Sequence, residues 1–257
     1  MKLEQYYQKI KSILGLSLSL AKVKFKLRNE GSYIGIFWYL LNPLAMFWVL
    51  LFLGNLINKE TTEYYPVYLL LGLIMFNLFT RATNSSTNSI YANSGLIKSS
   101  KVNHESLVIS DILNSVFSHI FEILILIALM LYFKISLIGV LFYPIILFFL
   151  IIFIAGFAFI LSSAGVFVSD LSNAWSIFAN LAWFTAPVYY VVSKGDTPFF
   201  NKINPMFYFI TVARDIVIYG RMPEANMIFA ILICTVLFFA VGLFIFEKFK
   251  KRFAENI

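Results

Sequence analysis

The chain has 257 residues, 60% of them hydrophobic and only 13% charged, with mean hydropathy +0.84. A soluble globular protein carries about 45–50% apolar and roughly 25% charged residues, so this balance excludes an ordinary soluble domain. The excess of seven positive charges lies mostly at the two ends of the chain beside apolar runs, which fits lipid headgroups and membrane topology better than nucleic acid.

Residues 1–31 open the chain. Leu3, Tyr6/Tyr7, Ile10 and Ile13/Leu14 follow a helical period, and Leu16 to Leu27 interleaves leucines with Lys22, Lys24, Lys26 and Arg28. The segment is too charged to span a bilayer and predicts an amphipathic helix at the membrane interface, with packing on a partner as the alternative. Its scattered lysines and lack of a continuous apolar core argue against a cleaved signal peptide.

Six apolar runs follow, at about 33–56, 64–89, 107–132, 138–167, 173–192 and 226–246, each reaching the ~20 residues that a spanning helix needs. They do not alternate as barrel strands do. With a cytoplasmic tail at 247–257, the whole of 1–257 reads as one transmembrane domain. Fourteen of the twenty Lys and Arg fall in residues 1–31, in the Arg81–Lys101 segment and in the tail. The positive-inside rule therefore puts both termini in the cytoplasm, in agreement with an even number of spans.

Two connections stand out. Tyr91–Ser106 is polar, cytoplasmic and long enough for a short helix. Val192–Ala225, on the outer side, is far more apolar than a water-exposed loop, with Pro198, Phe199, Phe200, Ile203, Pro205, Phe207, Tyr208 and Phe209. It predicts a re-entrant element, because irregular backbone at membrane depth survives where protein or a cavity satisfies it.

Chemistry of the catalytic kind is missing from the sequence. There is no GxxxxGK[ST] phosphate loop, no HExxH, no CxxC and no G-x-S-x-G elbow. His104 and His119 lack a second ligand-type residue at metal spacing, and Cys234 sits in an apolar run as a packing residue. What remains is polarity inside the spans. Asp111, Ser115, Ser118/His119 and Glu122 share one helical face of span three, either as the lining of a path or proton site or as a structural seam with Glu122 bonded to a neighbouring helix. Spans one and five carry Phe37, Trp38, Tyr39, Phe47, Trp48 and Trp175, Phe178, Trp183, Phe184, Tyr189, Tyr190, with Asn173 and Asn180 beside the latter set. Several lie away from the ends, where an interfacial belt does not explain them. Aromatic faces with polar handles suit an amphipathic or sugar-bearing cargo, and core packing is the alternative.

The stretch from Gly31 through Ser32, Tyr33, Ile34, Gly35, Ile36, Phe37, Trp38, Tyr39, Leu40, Leu41 and Asn42 to Pro43 resembles the start of the first span in transmembrane subunits of type-2 ABC exporters of cell-surface polysaccharides. The pattern there is R-x-x-G-x-L-G-x-L-W-x-x-L-x-P. Gly35, Trp38, Leu41 and Pro43 match it, while Ile36 and Phe37 depart mildly. Gly95-Leu96-Ile97-Lys98 is similar to the family's coupling helix, and Asn204-Pro205 followed by Arg214 to its outer N-P…R element. Ser169 stands before Asp170 where the family has an arginine, so that arginine's role does not carry over.

The resemblance covers nearly the whole chain and implies an all-α integral membrane permease. Its parts would be an interface helix, six transmembrane helices, a cytoplasmic coupling helix and re-entrant outer helices between spans five and six. It implies a homodimer joined by two ATPase subunits, with ATP and Mg held on those partners and no cofactor on this chain. It also implies a lipid-linked glycan cargo of O-antigen, capsule or teichoic acid type and a place in the cytoplasmic (inner) membrane. Phe37, Trp38, Trp175, Phe178, Trp183 and Tyr189 are the expected channel wall. In this frame Asn42-Pro43 would bend a pore-facing first span and free a carbonyl. The alternatives are an ABC exporter of drugs or lipids, a proton-coupled secondary transporter using Asp111 and Glu122, and a scaffold without cargo. Internal repeats, frequent in secondary carriers, are not evident.

Overall fold

The computed structural model describes residues 2–30, 35, 38–57, 64–99, 102–192 and 197–256. In chain order its helices are α1 (Lys2–Asn29), α2 (Trp38–Ile57), α3 (Tyr65–Thr87), α4 (Ser89–Ala92), α5 (Ser94–Ser99) and α6 (His104–Tyr132). A 3-10 turn at Leu137–Phe142 leads into α7 (Tyr143–Gly165), followed by α8 (Leu171–Thr185), α9 (Phe199–Ile203), α10 (Pro205–Val217) and α11 (Ala225–Phe249). A second 3-10 turn, Lys250–Arg252, ends in α12 (Phe253–Asn256).

Among the described residues, four stretches are long and apolar enough to cross a membrane: Tyr65–Thr87, His104–Tyr132, Leu137–Gly165 and Ala225–Asn256. The chain is a multi-pass membrane protein. The first and fifth expected spans are shorter. In α2 the apolar stretch is Leu41–Gly54, and α8 has 15 residues, about 22 Å against a hydrocarbon core of about 30 Å.

Helix α3 is the axis of the fold. It is apolar on all sides over Leu69–Phe76, and α2, α6, α7, α8 and α10 all pack on it. Helix α11 sits outside, seated mainly on α7. The two backbones approach at Gly156 and Gly242: a β-carbon on Gly242 would strike the Gly156 carbonyl, and one on Gly156 the Phe238 carbonyl. Small residues permit such contact where lipid supplies no hydrophobic drive between helices.

The amino-terminal segment is one unbroken helix lying along α6. Ser17 and Ala21 are completely buried, and with Lys24 they form an i, i+4, i+7 seam of small and polar groups. Ser106 Oγ donates to Ile13 O at 3.2 Å, and Lys24 Nζ donates to Asp111 Oδ1 at 2.5 Å and Ser110 Oγ at 2.9 Å. Phe25 then meets Phe117 and Phe121, so the two helices advance in the same direction. The apolar residues that suggested the membrane-facing side, Tyr7, Ile10, Leu14, Leu18 and Leu27, all point outward. At 29 residues, α6 is about 43 Å long, more than a bilayer core requires. Its first turns have length to spare, and α1 covers them.

Candidate functional site

A cavity of about 950 Å³ lies between α2, α3 and α6. Trp38, Leu41, Asn42, Pro43, Ala45 and Met46 line it from α2, and Asn77, Thr80, Arg81 and Asn84 from α3. Arg28, Gly35 and Glu122 of α6 also line it. The four α3 residues are spaced i, i+3, i+4, i+7, which puts them on one face of the helix. Asn84 Oδ1 is buried without a hydrogen-bond partner among the described residues.

Beneath the cavity a polar chain joins three helices. Arg81 Nη2 donates to Glu122 Oε1 in a close ion pair. Glu122 Oε2 lies 2.8 Å from His119 Nδ1, and His119 Nε2 lies 2.8 Å from the Tyr143 hydroxyl. An ionised carboxylate only accepts, so Nδ1 carries a proton toward Glu122, and Nε2 and the Tyr143 hydroxyl share the second hydrogen bond. Glu122 and His119 are fully buried, whereas Arg81 keeps 23% of its side chain exposed. The guanidinium therefore has one side on the carboxylate and another on the void. The polar face foreseen on span three is indeed turned inward, with Ile120, Leu124 and Leu131 facing out. Arg81 corrects the sequence reading: it was assigned to a cytoplasmic connection, and it is the partner of the buried acid inside α3. Arg214, assigned to an outer loop, is buried as well. Dropping one charge from each side leaves the direction of the charge bias unchanged.

The end of α3 away from α5 is built around Arg214. Its guanidinium lies 3.3 Å from the centre of the Tyr68 ring. Nε and Nη2 donate to Tyr68 O, Nη1 to Pro187 O and Nη2 to Val188 O, at 2.6–3.1 Å. Those carbonyls need donors because α8 stops early. Pro187 disfavours helix at Ala186, which is extended at φ −88°, ψ 140°. The rest of the expected fifth span is irregular chain, satisfied further by Tyr65 Oη on Tyr189 O and Tyr68 Oη on Tyr190 O. Asn204 Oδ1 accepts from Met206 N to cap α10, while its Nδ2 donates to Ala182 O and Thr185 Oγ1. Pro205 is the first residue of α10, where its missing N–H costs nothing.

The expected wall residues fall into separate places. Trp38 is half exposed in the cavity, and Phe37 lies outside the described residues. Trp175 is buried against Phe79, Phe157 and Phe178, with Nε1 donating to Thr83 Oγ1 at 3.0 Å. Phe178 is exposed on α8 beside Ile177, Asn180, Leu181 and Phe184. Trp183 stacks on Tyr189 with ring centroids 5.1 Å apart near the Arg214 end. Gly95, Leu96 and Lys98 are exposed on α5, and Ile97 is partly buried.

No family model matches this chain. Curated relatives do. The chain is 23% identical over 248 residues to an O-antigen export system permease protein, RfbA, of Myxococcus xanthus. It is 26% and 27% identical over 247 residues to two proteins of the same name from Klebsiella pneumoniae, and each comparison covers 95% of both chains. Over almost its whole length the chain is thus similar to permease proteins of O-antigen export systems. Sequence reasoning missed Asn77, Thr80, Arg81 and Asn84 as cavity-lining residues. Their helical spacing within an apolar run was the signal that would have found them.

Proposed function

We propose that this permease forms the membrane path of an ATP-driven exporter that moves lipid-linked cell-surface polysaccharide, of O-antigen, capsule or teichoic acid type, across the cytoplasmic membrane. The observation that carries the reading is end-to-end similarity to O-antigen export permeases. Two copies would pair, and two ATPase subunits would dock from the cytoplasm, binding ATP and Mg. The polar cavity walled by Trp38, the amides of α3 and Arg81 suits a cargo with both sugar and charge. Exposed Asn173 and Asn180 on α8 are costly against lipid, which favours a partner copy or cargo on that face. Exposed α5, with Gly95, Leu96, Ile97 and Lys98, is the proposed docking helix for the ATPase.

Both carboxylates that a proton-driven carrier would use have cationic partners on other helices, Asp111 with Lys24 and Glu122 with Arg81. That arrangement favours a packing role for them. The test is purification from the native membrane in mild detergent, scored for a co-purifying P-loop ATPase. The expected result is a stoichiometric ATPase that is lost when Leu96, Ile97 and Lys98 are replaced by alanine. A clean permease dimer without ATPase, under conditions that preserve ABC complexes, would overturn the reading.

A further inference from the structure

The last helix continues past its apolar run. Phe246, Lys250 and Phe253 are spaced i, i+4, i+7 and share one face. Both phenylalanines are completely buried. Phe253 packs edge-on against Phe246 and against His104, with ring centroids 5.4 and 5.7 Å apart. Beside this plug, Lys250 Nζ donates to Glu105 Oε1 at 2.9 Å and to Glu247 Oε1 at 2.6 Å. The segment expected as the cytoplasmic tail, 247–257, is thus clamped to the first turn of α6. Helix α12 also packs on α5.

Helix α5 needs such support. It has six residues, none of them buried, and the elements packed on it are chiefly α4 and α12. A helix this short does not hold its own shape in water. Helix α6, by contrast, runs unbroken from the clamp at His104 to Glu122 at the cavity, about 27 Å along its axis. A push on α5 reaches the Arg81–Glu122 pair through α6 only if α5 and the start of α6 move together.

We infer that the carboxy-terminal tail, through Phe253 and Lys250, is the strut that makes α5 and the first turn of α6 one rigid lever. Phe253 and Lys250 are positioning residues, and they touch neither cargo nor nucleotide in this role. The inference rests on the reading of α5 as the ATPase docking helix.

The test uses the full permease–ATPase complex in proteoliposomes, with cargo movement and ATP hydrolysis measured in the same sample. Phe253→Ala opens the plug, Phe253→Leu refills it, and Lys250→Gln breaks the charge clamp without making a hole. Phe253→Ala is expected to retain the ATPase and its hydrolysis but to lose about tenfold in cargo moved per ATP, the scale of an ordinary coupling energy. Phe253→Leu should stay near wild type, and Lys250→Gln should show a smaller loss of the same kind. The strut is overturned if Phe253→Ala keeps the wild-type ratio. It is equally overturned if hydrolysis and movement fall in proportion, which is the mark of a merely structural defect. Should Phe253→Ala not assemble, an unchanged ratio in Lys250→Gln overturns the strut alone. A wild-type chain that brings no ATPase removes the exporter reading, and the strut with it.

Discussion

Arg81→Met is expected to destabilise the permease by about 3–5 kcal/mol, because it leaves the fully buried Glu122 carboxylate without its cation. His119 still reaches Oε2, but Oε1 loses its donor. The partial exposure of Arg81 to the cavity places the loss at the lower end of that range. The double variant Arg81→Met with Glu122→Met should recover most of the loss, since replacing a buried pair by apolar groups is often neutral or better. Glu122→Gln should cost less than Arg81→Met, because its amide oxygen still accepts from the guanidinium. Thermal unfolding in detergent, followed by tryptophan fluorescence, measures all four proteins. Equal melting points for the single and double variants would mean that the pair carries no such weight. The double variant has a second use: with its stability restored it still lacks the Arg81 guanidinium in the cavity wall, so it should fold and fail to export.

Arg214→Met is expected to be at least as damaging, and Arg214→Lys nearly so. Four hydrogen bonds from one guanidinium hold Tyr68 O, Pro187 O and Val188 O, and hydrogen bonds to charged groups are each worth about 1.5–3 kcal/mol. Methionine would leave those carbonyls buried and bare. Lysine keeps the charge but offers three donors on a point-like head, so it cannot reproduce the planar fan over the Tyr68 ring. The damage should concentrate around residues 186–192, whose carbonyls the guanidinium holds. Hydrogen exchange measures this: protection should fall in that segment and in α10 before it falls in α6. Uniform loss of protection across α3, α6 and α7 would contradict the view that Arg214 serves the connection after α8.

Much of this architecture was legible because hydrophobic periodicity reports burial and length directly. The spans around 64–89, 107–132, 138–167 and 226–246 correspond to helices with boundaries close to those expected. The inward polar face of α6 was equally visible, since Asp111, Ser115, His119 and Glu122 repeat at helical spacing. What composition could not show was which apolar stretch stays helical. Residues 173–192 look continuous by hydropathy, yet Pro187 ends α8 at Thr185 and hands the carbonyls to an arginine 27 residues later. Counting charges by connection misplaced Arg81 and Arg214, because a charge within an apolar run scores the same whether it is solvated at a helix end or paired within the fold. The tail was hidden for a similar reason. Lys250, Lys251 and Arg252 entered only the charge count that sets topology, and the spacing of Phe253 to Phe246 crosses that basic run.

The most direct measurement is cargo movement itself. The permease and its co-purifying ATPase would be placed in liposomes with a short, labelled lipid-linked glycan, and its transfer between leaflets followed. The account predicts transfer that needs both subunits, ATP and Mg, and that persists when any proton gradient is collapsed. Transfer by the permease alone, driven by a proton gradient and abolished by Glu122→Gln, would contradict it.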